Sequence, residues 1–101
     1  MENDKKPWTF VTNHTQVLLC LAQDPNMRLR EVATRVGITE RAAQRILADL
    51  VEAGYVQRER QGRRNAYTID RERMMRHKAQ VGHEIGGFLD LLSLEPTEKP
   101  E

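Results

Sequence analysis

The sequence has one cysteine, five aromatic residues and no uninterrupted apolar run longer than Val17–Ala22. Each shortage excludes something. A lone cysteine forms no internal disulfide and builds no thiolate zinc site by itself, so a reducing, cytoplasmic setting is expected. A bilayer-spanning helix needs about 20 apolar residues, so no membrane partner is expected. The chain does not open with a basic-then-apolar stretch, and no secretory leader is read there. His14, His77 and His83 lack the i, i+4 spacing of a metal-binding pair and no second cysteine joins them, so neither metal nor cofactor is expected. Cys20 sits inside the apolar run with no flanking base, the setting of a small hydrophobe and not of a redox sensor. Paired carboxylates and a nucleophile beside a base are both missing. Gly82, Gly86 and Gly87 follow no strand and form no phosphate-cradling loop. A chain of 101 residues also has little material left over for an elaborate pocket. An enzyme is not expected.

What is present is charge, unevenly placed. The net charge is only +1. Residues 28–64, however, hold nine arginines (28, 30, 35, 41, 45, 58, 60, 63 and 64), no lysine and five acids, an excess of +4. The flanks are slightly acidic, at −1 for residues 1–27 and −2 for residues 65–101. Arginine is the planar, forked cation suited to phosphates and to guanine edges.

The pattern of apolar residues predicts a mainly α chain with a small β-hairpin. Residues 1–7 read as a disordered leader and 95–101 as a disordered tail. Trp8 and Phe10 read as a strap packed on the domain. Asn13 is the expected cap of a first helix, with Gln16 as its capping-box partner, and Asp24-Pro25-Asn26 ends that helix. Leu29, Val32, Ala33 and Val36 mark a short second helix closed by Gly37, and Arg28 is a poor residue at its cap. Thr39 caps a third helix, on which Ala43, Ile46, Leu47 and Leu50 share one face while Arg41, Arg45, Ala48 and Glu52 lie opposite, with Gln44 on the flank. Gly54 stops it. Tyr55–Arg60 and Ala66–Ile69 read as strands joined by the turn Gln61–Asn65. Val81, Ile85, Phe88, Leu89 and Leu92 recur at helical spacing and predict a fourth helix over about 79–93. The stretch containing Met74 and Met75 receives no assignment.

Residues 29–47 have the form of a helix-turn-helix: two helices, a short Gly-containing turn, and a second helix placed to enter a major groove. Ala33 is small where the helices cross, and Gly37 can adopt the positive φ of the sharp turn. Val32-Ala33, Gly37-Ile38-Thr39, Gln44-Arg45, Leu50–Val56 and Arg58 together resemble the winged helix-turn-helix of MarR-like and ArsR-like regulators, over roughly residues 13–69. The resemblance implies a reading helix carrying Thr39, Glu40, Arg41, Gln44 and Arg45, and a basic wing tip carrying Arg63 and Arg64. Arg58 and Arg60, on one face of the first strand, join the wing as expected phosphate or minor-groove contacts. Arg28, Arg30 and Arg35 read as surface residues, Arg35 paired with Glu31 one turn earlier.

The expected organisation is a winged helix-turn-helix domain over residues 8–78 and a C-terminal dimerisation helix over 79–94. The stripe of Ile85, Phe88, Leu89 and Leu92 is the expected dimer interface. The expected function is a sequence-specific, double-stranded-DNA-binding transcriptional regulator, a homodimeric repressor. The alternative is a winged-helix protein–protein interaction module that binds no DNA, for which an arginine-rich reading helix has no use. No residue pattern specifies a small-molecule effector.

Overall fold

The computed structural model describes residues 7–93. The elements run α1 (Asn13–Gln23), α2 (Leu29–Val36), α3 (Glu40–Glu52), β1 (Val56–Gln61), β2 (Arg64–Ile69) and α4 (Ile85–Ser93), with a single 3₁₀ turn at Lys78–Gln80. Three helices followed by an antiparallel hairpin and a last helix make a winged helix-turn-helix, mainly α with a small wing. The expected leader and tail lie, apart from Pro7, outside the described residues.

The three helices of the motif form where their apolar residues face one another. Val17, Leu18 and Leu21 of α1, Val32 and Ala33 of α2, and Ala43, Ile46, Leu47 and Leu50 of α3 are all buried. Full burial of each aliphatic side chain contributes about 1.5–3 kcal/mol over exposure. The α1 cap is Thr12, one residue before the expected Asn13: its backbone is extended and its hydroxyl accepts the Thr15 amide at 3.2 Å. Asn13 is already helical, so the expected pairing of Asn13 with Gln16 does not form. Gly37 takes φ +85° and ends α2, with its own amide and that of Ile38 both donating to the Ala33 carbonyl. Arg28 makes no side-chain cap. The Thr39 hydroxyl accepts the Ala42 amide at 3.0 Å.

Beyond Ala53, Gly54 is left-handed (φ +89°); Tyr55 donates to the Leu50 carbonyl and Gly54 to that of Val51. This is a Schellman ending, which turns the chain directly into the hairpin. β1 keeps its expected length but is displaced by one residue, β2 starts at Arg64 and not at the expected Ala66, and the turn shrinks to Gly62-Arg63, because Gln61 pairs with Arg64 and Arg60 with Asn65. Positive φ at Gly62 alone (φ +65°) is the pattern a type II′ turn requires. At the base of the hairpin, the Tyr67 amide donates to the Pro25 carbonyl at 3.1 Å, fastening β2 to the α1–α2 loop.

The fourth helix starts at Ile85, later than the periodicity predicts. Val81 is extended and 72 % exposed, and Gly82 is left-handed. Three glycines in six residues weaken a helix by about 1 kcal/mol each. The chain instead doubles back. Met75 donates to His83, Ile85 to Arg73 and Gly86 to Arg71, each at 2.8–2.9 Å between backbone groups. The segment holding Met74 and Met75 is thus the extended partner of residues 83–86. Arg71 completes the join with a 2.6 Å ion pair to Asp90. Gly86 is buried in this join, and a Cβ there would lie 2.8 Å from the Arg71 carbonyl oxygen, whereas a Cβ on Gly87 would meet nothing within 4 Å.

Neighbouring glycines should therefore respond with opposite sign. Gly86→Ala should lower stability by ~1–3 kcal/mol through overpacking against backbone, and Gly87→Ala should raise it by ~0.5–1 kcal/mol. Urea titrations of the two variants check this; equal shifts would contradict the close approach at Gly86.

Candidate nucleic-acid interface

The exposed face of α3, the expected reading face, follows from its buried face. With Ala43, Ile46, Leu47 and Leu50 turned inward, Arg41, Gln44, Arg45 and Ala48 are left exposed. Among the described residues, Arg41, Gln44 and Arg45 have no side-chain hydrogen bond or ion pair. Thr39 and Glu40 open the helix: the Thr39 hydroxyl is engaged in its cap, and the Glu40 carboxylate is exposed in the first turn, where the helix dipole favours negative charge.

The wing arginines divide into two kinds. Arg58 and Arg60 share one face of β1, with Arg58 opposite Tyr67 and Arg60 opposite Asn65. Arg63 occupies the two-residue turn at the tip. Arg60 donates through Nε to the Gly62 carbonyl at 3.0 Å, bracing the turn from within. Arg64 departs from the expected tip position. It pairs with Gln61 on the other face of the hairpin, and its guanidinium donates to the Asn26 carbonyl at 3.0 Å. It holds the wing to the α1–α2 loop while Arg63 projects at the turn. The wing thus has two points of attachment to that loop, at Arg64 and at Tyr67.

Sequence reasoning also missed how free the arginines are. The expected pair of Arg35 with Glu31 does not form. The contacts between a basic and an acidic side chain among the described residues are His14–Asp49 and Arg71–Asp90, and neither uses an arginine of residues 28–64. All nine of those guanidiniums are exposed. Lattice-like pairing along a solvated helix would have neutralised them; here their charge stays available to an anionic partner.

His14 has a role that spacing could not reveal. Its Nε2 lies 2.9 Å from a carboxylate oxygen of Asp49, joining the first turn of α1 to the later part of α3. The pair borders an open cavity of about 650 Å³ between α1, the end of α3 and Met75-Arg76, floored by Leu18, Leu50 and Ile85. Among the described residues no three His, Cys, Asp or Glu side chains gather as metal ligands, and no helix is long and apolar enough to cross a membrane. Cys20 is buried in the core; burial pushes its thiol up, Arg35 opposing and Glu31 adding to the effect.

The expected dimer stripe and strap are placed differently from expectation. Ile85 and Leu89 are 7 % and 0 % exposed, inside the chain's own core, because α4 packs on α1. Phe88 is half-buried, and Leu92 is 41 % exposed. Trp8 and Phe10 are not packed on the domain: they are 76 % and 92 % exposed and rest on each other edge-to-face, centroids 4.8 Å apart.

Residues 11–60 match the sequence model of the IclR helix-turn-helix domain. The match takes in α1, α2, α3 and all of β1 except Gln61. The chain carries a winged helix-turn-helix DNA-binding domain. The matched domain is regulatory and not catalytic, so the winged helix-turn-helix protein is a DNA-binding transcription regulator with DNA as its partner. No curated protein sequence matches the chain.

The two wing-tip arginines should separate experimentally. Arg63→Ala should weaken binding to all duplexes alike and flatten the salt dependence by about one unit. Arg64→Ala should lower thermal stability by breaking the bond to Asn26, with a smaller change in salt slope. Equal salt slopes in parent and Arg63→Ala would remove the tip from the DNA backbone. Native Cys20 should react with a thiol reagent at neutral pH far more slowly than the urea-unfolded chain; equal rates would contradict its burial.

Proposed function

We propose that this winged helix-turn-helix protein is a sequence-specific regulator that binds operator DNA as a homodimer and represses by occupying it. One observation carries the reading: nine exposed arginines on the motif and wing, none neutralised by a carboxylate among the described residues. An interaction module has no use for such a surface, whereas DNA presents one charge per ~1.7 Å of duplex.

In this reading α3 lies in the major groove. Arg41 and Arg45 reach guanine O6 and N7 as forks, and Gln44 pairs with adenine. Glu40 faces the donor edge of cytosine, and Thr39 holds the helix start against the backbone. Arg58, Arg60 and Arg63 contact phosphates or the minor groove, fixing register without reading sequence. Arg64 acts on the wing's position. MarR-like and ArsR-like regulators supply the analogy for the dimer, and a repressor needs no further device, since a protein seated on a promoter excludes other proteins. Its place is the cytoplasm, where such DNA is found. Two copies related by a two-fold axis would set half-site centres about 10 base pairs, or a multiple, apart.

Selection of bound duplexes from a random pool tests the reading. The parent should enrich one short motif, with a palindromic arrangement. Arg41→Ala or Arg45→Ala should each cost ~1–3 kcal/mol of specific affinity and relax preference at one position per half-site. Failure to enrich any sequence, or unchanged preferences in both variants, would overturn the assignment of α3 as the reading helix.

A further inference from the structure

The open cavity beside the His14–Asp49 contact has no part in the proposed reading of DNA. Its volume of about 650 Å³ lies within the ~300–1,000 Å³ of small-molecule sites. Its floor is apolar, made by the core residues Leu18, Leu50 and Ile85. Its rim is charged, with both signs. Asp49 and Glu52, three residues apart on α3, supply two carboxylates, and Arg76, beyond β2, supplies a guanidinium. Among the described residues neither Glu52 nor Arg76 has a side-chain hydrogen bond or ion pair. Asp49 uses one oxygen on His14 and has no partner among them for the other. The walls are tied in place. The Tyr55 hydroxyl donates to the Met74 carbonyl at 2.6 Å, fixing the Met75-Arg76 wall to the chain just after α3, and His14 joins the α1 wall to α3.

We propose that this cavity binds a small zwitterion on an apolar frame, the chemistry of a free amino acid or dipeptide with large apolar side chains. Its ammonium meets Asp49 and Glu52, its carboxylate meets Arg76, and its apolar part covers the Leu18, Leu50 and Ile85 floor. The rim selects this chemistry. Opposite charges that border one cavity without pairing are both satisfied by a ligand carrying the complementary two, through charge-assisted hydrogen bonds. An organic acid without an amine faces two carboxylates against one guanidinium, and an amine without an acid leaves Arg76 unused. A metal ion lacks its ligands, since no three His, Cys, Asp or Glu side chains gather among the described residues. Walls already held by Tyr55 and His14 need little ordering on binding. Asp49 and Glu52 share α3 with Arg41, Gln44 and Arg45, so an occupied cavity bears on the helix to which the proposed function gives DNA reading. That regulatory half rests on the proposed function; the site itself does not.

The test uses the full chain, first by calorimetry without DNA. L-Leucine or leucyl-leucine should bind, and the stronger of the two tells a free amino acid from a peptide. Isocaproate, which is leucine without its ammonium, and isoamylamine, which is leucine without its carboxylate, should each bind about tenfold or more weakly than the preferred zwitterion. Glu52→Gln should narrow the gap to isocaproate and Arg76→Gln the gap to isoamylamine. Both side chains are exposed, so the thermal midpoint should match the parent in each variant. No binding of either zwitterion, or equal binding of an analogue that lacks one charge, would overturn the site. On a duplex selected with the parent, saturating ligand should change affinity by about fivefold or more. Ligand binding without that change would overturn the regulatory half alone. Ligand binding by a chain that enriches no duplex would support the site and refute the DNA reading, so the two fail separately.

Discussion

The outward-facing arginines of α3 depend on one left-handed residue. Gly37 at φ +85° lets α2 end on the Ala33 carbonyl and lets α3 begin at Thr39–Glu40 almost at once. A residue with a Cβ resists that conformation. With so short a connection, α3 has little freedom in how it crosses α2, and its orientation is fixed by burying Ala43 and Leu47 where the helices meet. The exposed positions of α3 then have no choice of direction. The exposed face, which the proposed function assigns to reading DNA, is the geometric complement of the core face, which is why one apolar pattern determines both.

Electrostatics divides the surface in a way that net charge hides. Two side-chain pairs among the described residues fasten elements together: His14 to Asp49 across α1 and α3, and Arg71 to Asp90 across the segment before α4 and α4 itself. Both are substantially exposed and each is worth little on its own. Their value is positional. The arginines of residues 28–64 are held differently, by the backbone carbonyls of Gly62 and Asn26 or by nothing among the described residues. A carbonyl partner orients a guanidinium without cancelling its charge. The wing can therefore be braced at Arg60 and anchored at Arg64 while the positive field around the motif stays intact for a polyanion.

The motif was legible in the sequence because its signals are local. Thr39 as a cap, Gly37 and Gly54 as stops, and the apolar positions of α3 are each read within one or two turns of helix, and the structure places them as read. The features that were not legible depend on partners distant in sequence. Arg64 looks like a wing-tip residue until the Asn26 carbonyl, 38 residues earlier, comes within 3.0 Å. His14 looks like a stray histidine until Asp49 arrives beside it. The start of α4 was misplaced because Val81 keeps helical period with Ile85, while the competing signal, three glycines and acceptors on Arg71 and Arg73, becomes decisive only when the segment folds back. Ile85 and Leu89 look like an interface stripe for a related reason: a helical stripe says that a face is covered, not which surface covers it.

That last ambiguity resolves into a structural argument about α4. A nine-residue helix containing two glycines has no stability of its own. It persists because Ile85 and Leu89 complete the core, because the Arg71 and Arg73 carbonyls satisfy its first amides, and because Asp90 is gripped by Arg71. Gly86 is what allows the backbones to approach closely enough for those amide bonds to form. Once the helix is anchored along that side, helical geometry turns Leu91 away from it, and Gly87, lacking a side chain, leaves an open apolar groove beside Phe10 and Phe88 instead of filling it. The same residues that close the core thus determine the shape of the apolar groove outside it. The core and the outer face of α4 are two consequences of one set of contacts, so a change that loosens the helix from Arg71 would be felt on both.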